Sequence, residues 1–341
     1  FENHSEIISV DFGDNVYYVG DYAFYGCDGL MEIGGHESIS KIGAYAFYGT
    51  QWFEAIKDDV KMLNNIVIGG SPDLTGFELP QNAVSVAPRA FYGSVGVESI
   101  ICNENLLEIG DEAFSGCTSL NEFTYGSKIN YIGLNAFENT PWLSAIDEEF
   151  IIINGILIKY SGNDVIINVP SDVTQIGDGA FYNKSVENVT LPKNLFYIGK
   201  YAFAQSGLSD IDFSNCEIVY IGDGAFEGCP NIEELTLTKS IKYIGTDAFS
   251  DCKETLFFVE PGTMGYEYVT KNDLNYYFTN VSGDINGDKV LSMEDVVALQ
   301  RYIASLTEFT DKQKDIADVD SDGEISMQDV TYMQRKIAGL I

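Results

Sequence analysis

A cassette of the form Ile-Gly, two variable residues, Ala-Phe recurs along most of the chain, with its Phe at 24, 47, 91, 114, 137, 181, 203, 226 and 249. The steps are 22 or 23 residues, except for two of 44 that each contain a degenerate extra repeat. A longer symmetry lies over this one, because Phe24, Phe47 and Phe91 match Phe114, Phe137 and Phe181 at an offset of 90. A fixed period of this length restricts the chain to stacked repeats, since one such unit cannot bury its own apolar face.

Counting back from each Phe defines the rest of the unit. Apolar residues stand at −17, −14, −12, −8 and −5, as in Leu120, Phe123, Tyr125, Ile129 and Ile132 before Phe137. Ile232, Leu235, Leu237, Ile241 and Ile244 repeat the pattern before Phe249. Alternation from −14 to −12 predicts one short strand per repeat. The following glycine, Gly133 or Gly245, is expected to allow a tight turn that tucks Ala-Phe inside. With nine cassettes to support it, the array over about residues 5 to 260 resembles the BspA-like (Treponema-type) leucine-rich repeats.

The two long steps share a form. Trp52 to Gly70 and Trp142 to Gly162 each run from an aromatic through an acidic stretch into Asn-Ile-Val-Ile-Gly or Gly-Ile-Leu-Ile-Lys. They read as hairpin-bearing repeats that serve as spacers in the solenoid rather than as ligand-contacting protrusions. Residues 256 to 279 break the period and look like the cap such an array needs.

Four of the six cysteines, Cys27, Cys117, Cys229 and Cys252, fall at Phe+3, where sibling repeats place Thr50, Ser94, Thr140 or Ser206. Residues interchangeable with Ser and Thr fill one small buried slot, so free thiols are expected rather than disulfides. Cys102 sits at the strand position −12 and Cys216 in the turn after a strand. With His4 and His36 the only histidines, a nucleophile–histidine arrangement has almost no base to use. The strand-face acids Glu32, Glu98, Glu122, Glu187, Asp210, Asp212, Glu233 and Glu234 could in principle form a glycosidase pair. In so acidic a chain they read as a solvated recognition face.

Net charge is −33, with 13 basic against 40 acidic residues before position 283. Such a surface repels nucleic acid and anionic membranes. No apolar run reaches transmembrane length. Phe1 stands close to the first repeat strand at Ile7, which suggests a piece of a longer secreted precursor.

Chemistry of a different kind occupies the last sixty or so residues. Asp284, Asn286, Asp288 and Asp295 recur 34 positions later as Asp318, Asp320, Asp322 and Asp329. Both sets follow the calcium-loop ladder, in which oxygens from positions 1, 3, 5, 7, 9 and 12 of a twelve-residue turn wrap a hard cation. The expected first set is Asp284, Asn286, Asp288, the Val290 carbonyl, Ser292 and Asp295. The second is Asp318, Asp320, Asp322, the Glu324 carbonyl, Ser326 and Asp329, with Gly323 at the sharp turn of position 6 and apolar Ile325 at 8. Lys289 replaces that glycine in the first loop, which predicts the weaker or more distorted site at a cost of about 1 kcal/mol.

The repeat continues into SMEDVVALQRYIA (292 to 304) and SMQDVTYMQRKIA (326 to 338). Val296, Leu299 and Ile303, and likewise Val330, Met333 and Ile337, give each helix one apolar stripe that can pack on its twin. Residues 283 to 341 resemble a type I dockerin, a duplicated F-hand calcium module in which each loop is followed by a helix but not preceded by one. The resemblance implies two Ca2+ ions and a scaffoldin cohesin as partner. It places the cohesin contacts at Met293, Glu294, Val297, Gln300 and Arg301, and at Met327, Gln328, Thr331, Gln334 and Arg335. Met at both copies departs from the small hydroxyl residues usual in the family.

The expected architecture is a leucine-rich repeat solenoid over 1–279, a linker at 280–283 and a small all-α calcium module over 284–341. The expected function is non-catalytic: cellulosomal attachment outside the cell, with the solenoid presenting a surface to a protein or glycan; the alternatives for the repeats are a regulatory, protease-binding role, a weak carbohydrate-active role, or that of a spacer alone.

Overall fold

The computed structural model describes residues 1–278, 283–288, 290–320 and 322–340. Each repeat makes one turn of a coil that stacks on the last through parallel strands. The strand expected before each cassette is present, for example at Ser99–Ile101, which pairs in register with Glu122–Thr124 through Ser99↔Glu122 and Ile100↔Phe123. A second strand of two residues lies at every cassette's Ile position, as at Glu108–Ile109, which pairs with Tyr131–Ile132. The expectation of one strand per repeat is therefore corrected to two. A two-residue strand carries no alternation to read, and only stacking supplies its hydrogen-bond partner.

Glycine in the cassette has a different task from the one expected. A Cβ on Gly133 would lie 2.5 Å from the Asp111 backbone nitrogen, and one on Gly245 would lie 2.4 Å from that of Asp223. These glycines admit the neighbouring coil rather than make a turn. The left-handed residue comes two positions later, at Asn135 (φ 54°) and Asp247 (φ 53°). The first variable residue is often an aspartate that bridges coils: Asp111 Oδ1 accepts from Leu134 N at 3.0 Å and Asp178 Oδ1 from Lys200 N at 2.8 Å.

Phenylalanines of successive cassettes stack through the core. Ring centroids of Phe181 and Phe203 lie 4.9 Å apart, and those of Phe226 and Phe249 5.1 Å. Each cassette is tied to the next by its backbone, since Phe114 N donates to Ala136 O at 2.8 Å and Phe203 N to Ala225 O at 2.8 Å. Burying one such ring contributes about 2–3 kcal/mol, so the stack is the main apolar support of the coil.

The two long steps interrupt this regularity in the same way. After Phe47 and Phe137 the chain enters short helices α1 (Gln51–Ala55) and α2 (Pro141–Ser144), N-capped by buried Thr50 and Thr140. Trp52 and Trp142 stand where the next cassette ring is missing, 5.0 Å from Phe47 and 4.7 Å from Phe137. Antiparallel hairpins follow, Val60–Leu63 with Ile66–Gly70 and Phe150–Ile153 with Ile156–Tyr160. Their second strands join the cassette ladder (Ile66↔Ser85, Ile156↔Gln175), so the hairpins are built into the stack as the spacer reading expects. All six cysteines are free and buried. Cys117 and Cys229 donate their thiols to the Phe91 and Phe203 carbonyls one coil back, at 3.2 and 3.1 Å.

The array closes with Leu256–Val259 and Tyr276–Phe278, which add two parallel rungs, and with α3 (Met264–Lys271), whose Tyr268 packs on Phe249. Beyond it lie α4 (Met293–Ile303), α5 (Asp311–Ala317) and α6 (Met327–Ile337). Val296 and Leu299 bury against Val330 and Met333, with Ile285, Ala317 and Val319 completing the small core. Ile303 is half-buried at its edge, whereas Ile337 stays 38% exposed, so the stripe on α6 is a turn shorter than expected. The loop-preceding α5 is also a departure. Thr310 and Gln313 form a reciprocal capping box that starts it, and it delivers the chain directly into Asp318. Among the described residues, no helix is long and apolar enough to cross a membrane.

Candidate calcium sites and docking face

In the first loop the carboxylates of Asp284, Asp288 and Asp295 converge, each with an oxygen within 4.8 Å of the others. Local geometry forms the turn before any ion is considered. Asp284 Oδ1 accepts from Gly287 N at 2.9 Å, Asn286 Oδ1 from Asp288 N at 2.8 Å, and Asp288 Oδ1 from Val290 N at 2.9 Å. Gly287 carries the left-handed conformation (φ 77°). The strain expected at Lys289 falls on a residue outside those described.

In the second loop the converging set is Asp318, Asp320 and Asp322, positions 1, 3 and 5 rather than the 1, 5 and 12 of the first. Gly323 has φ 88°, as position 6 requires, and its amide donates to Asp318 Oδ2 at 3.0 Å. Partial desolvation first, and then the charges of Asp322, Asp329 and Asp318, lift the Asp320 carboxyl above its ordinary range. Hard carboxylate and carbonyl oxygens with no sulfur or imidazole among them suit Ca2+ rather than zinc or copper. A divalent cation would relieve the repulsion that the three acids create.

Position 12 serves two purposes. Asp295 is fully buried; its Oδ1 accepts from Ile285 N and Asn286 N at 2.9 and 3.0 Å, and its Oδ2 from Ser292 N at 2.9 Å. Asp329 repeats this with Val319 N at 2.9 Å and Ser326 N at 2.7 Å. Both complete capping boxes with Ser292 and Ser326, so the residue that closes each loop also starts the helix after it. The Ser-x-x-Asp spacing was readable as a cap in both copies. Leu291 and Ile325, at position 8, pack against the helical core.

Every residue expected to contact a cohesin is exposed. On α4 these are Met293, Glu294, Val297, Gln300 and Arg301, and on α6 Met327, Gln328, Thr331, Gln334 and Arg335. Met293 and Met327 are 52% and 54% exposed, so two large apolar side chains stand at equivalent places without being covered by the module's own core.

On the solenoid, Glu32, Glu98, Glu122, Glu187, Asp210, Asp212, Glu233 and Glu234 are all exposed on or beside the first strands. Among the described residues, three carboxylates converge only in the two terminal loops.

Comparison with known proteins agrees with both modules. Residues 1–58, 55–155 and 158–264 match the model for the BspA type leucine rich repeat region, and residues 282–338 match the dockerin type I domain. A leucine-rich cell surface protein from Faecalibacterium prausnitzii is similar at 23% identity, over 80% of this chain and 79% of that one, with a TM-score of 0.40. The pneumococcal vaccine antigen PcpA (18% identity, 80% of each chain, TM-score 0.30) and a leucine-rich repeat protein from Bacteroides ovatus (19%, 82% and 79%, 0.31) are also similar. No curated protein matches the chain. Both matched families are interaction modules, which gives the chain a cellulosome-type protein-interaction role. The chain belongs to the BspA-type leucine-rich repeat family and ends in a type I dockerin domain.

Proposed function

We propose that residues 284–341 attach this protein to a scaffoldin cohesin in a calcium-dependent manner, while residues 1–279, joined through a linker at 280–283, present a recognition surface to a protein or glycan. The reading rests on one observation above others: the exposed faces of α4 and α6 repeat each other, each beside a loop of converging oxygens. Two Ca2+ ions would be held by Asp284, Asn286, Asp288, Val290, Ser292 and Asp295, and by Asp318, Asp320, Asp322, Glu324, Ser326 and Asp329. The ions would lock the loops and thereby fix the helix faces that dock. Cellulosomal attachment takes place outside the cell, and the reading therefore includes secretion.

Calorimetric titration with a scaffoldin cohesin, in calcium and in EDTA, tests the reading; equal affinity in chelator would end it. The duplicated face further suggests that either helix can engage the partner after a rotation of about half a turn. Replacing Met293, Gln300 and Arg301 together should then leave most of the affinity, and complete loss of binding would reject this dual mode.

A further inference from the structure

The 90-residue symmetry builds the same notch twice, once beside each hairpin, and the two copies differ in size and lining. All twelve residues lining the second notch have their counterparts, 90 positions earlier, in the lining of the first. The first has a volume of about 340 Å³, and its lining includes Tyr45, Tyr48, Arg89 and Tyr92. In the second, about 210 Å³, Glu138 replaces Tyr48 and Lys159 replaces Gly69, and the two form an ion pair of 3.0 Å.

The first rim continues into a tyrosine surface. Tyr25 and Tyr48 stack at 6.0 Å, Tyr22 and Tyr45 lie 5.8 Å apart, and Tyr92 meets Tyr45 at 6.5 Å. The Arg89 guanidinium lies over Tyr92 at 5.3 Å while Nε and Nη1 donate to Glu112 Oε2 at 2.6 Å and to the Tyr22 hydroxyl at 2.7 Å. Tyr22, Tyr45 and Arg89 hold the left-handed backbone (φ 55°, 52° and 59°) that this cassette position has along the array, as at Glu112, Asn135, Tyr201 and Asp247.

We propose that this first notch is a glycan-binding site taking pyranose rings of a neutral oligosaccharide. The inference rests on the reading of the solenoid as a recognition surface and locates that recognition away from the strand face. Flat tyrosine faces match the C–H face of a sugar ring, and the hydroxyl and guanidinium groups around them match its equatorial hydroxyls. Glu112 neutralises Arg89, and Lys61 of the notch donates to the Phe53 and Ile56 carbonyls beside Glu54, which favours an uncharged ligand. A slot one repeat wide is of small-ligand size and far below the area of a stable protein interface.

Isothermal titration of the full chain with cellohexaose, xylohexaose and mannohexaose tests the proposal. At least one should bind, Tyr48→Ala and Tyr92→Ala should each weaken it by about tenfold or more, and Tyr182→Ala in the smaller, ion-paired copy should leave it unchanged. Tyr48→Phe and Tyr92→Phe should retain most binding, with melting curves checking that every variant folds. The proposal is overturned if no hexaose binds, or if binding survives both alanine variants. Survival in those two together with loss in Ile101→Ser or Ile166→Ser, on the strand face, would overturn the notch while leaving a recognition surface in place.

Discussion

Lys159 Nζ and Glu138 Oε2 meet at 3.0 Å at the positions that Gly69 and Tyr48 hold 90 residues earlier. The exchange involves the floor as well. A Cβ on Gly69 would come within 2.8 Å of the Phe53 ring, whereas the second copy accommodates Lys159 beside the smaller Leu143. Gly69→Ala is therefore expected to cost about 1–2 kcal/mol by overpacking. Phe53→Leu in the same chain should recover at least about 0.5 kcal/mol of that loss, a coupling that a double-mutant cycle in denaturant measures directly. Strict additivity of the two changes would show that the copies do not differ for this reason.

Asp178 is the one buried acid of the solenoid whose ionisation opposes folding. Burial is the largest influence and pushes its carboxyl from 3.8 up to about 6, despite hydrogen bonds from Tyr131 and the Lys200 amide. A raised carboxyl binds its proton more tightly in the folded chain. Its contribution to stability is thus full below pH 3.8 and is lost as pH rises through about 6. Asp178→Asn has no such titration and still offers Oδ1 to Lys200 N. Between pH 4 and 7.5 the stability difference should move in favour of the variant by about 2 kcal/mol. Parallel unfolding curves at both pH values would contradict this.

The coil itself was legible in the sequence because each cassette restates the same physical need. Phe114 and Phe203 have to stack, and Cys117 and Cys229 have to fit a slot where Thr or Ser also fits. What stayed hidden depends on the neighbouring coil or on a few residues. Within one repeat Gly133 reads as a turn former, but its reason is the Asp111 backbone pressed against it, which no single repeat displays. The aspartate bridge from Asp178 to Lys200 looked like a variable position. In the calcium module the ligand spacing was plain, yet α5 was missed because its seven residues, DKQKDIA, are too few and too polar for periodicity to register. Spacing alone puts Ile337 on the apolar stripe, yet it stays exposed at the last residue of α6.

Thiol chemistry gives a test of the slot reading. Burial pushes the Cys117 thiol up to about 11 and those of Cys102 and Cys252 up to about 12, so almost no thiolate exists at pH 8. Native protein should leave a disulfide reagent such as DTNB largely unreacted over minutes, and all six thiols should react in denaturant. Cys117→Ser retains a donor for the Phe91 carbonyl and should cost less than about 1 kcal/mol. A stable thiol fraction reacting in the native state would place at least one slot within reach of solvent.

The second candidate calcium loop offers the sharpest separation of ion binding from folding. Gly323 holds φ 88°, and nothing lies within 4 Å of where its Cβ would be, so Gly323→Ala is strained by backbone conformation alone. The expected cost is about 1 kcal/mol, seen as a several-fold loss of calcium affinity at this loop with the helical core intact. Asp329→Ala differs in kind. It removes the acceptor of the Val319 and Ser326 amides, from a fully buried position, together with half of the α6 capping box. That variant should lose helicity even in saturating calcium, by about 2–3 kcal/mol. Circular dichroism with calcium titration resolves the two: Gly323→Ala should reach the wild-type signal at higher calcium, and Asp329→Ala should not. Full recovery of Asp329→Ala in calcium would mean that its carboxylate acts on the ion alone and that the cap contributes nothing.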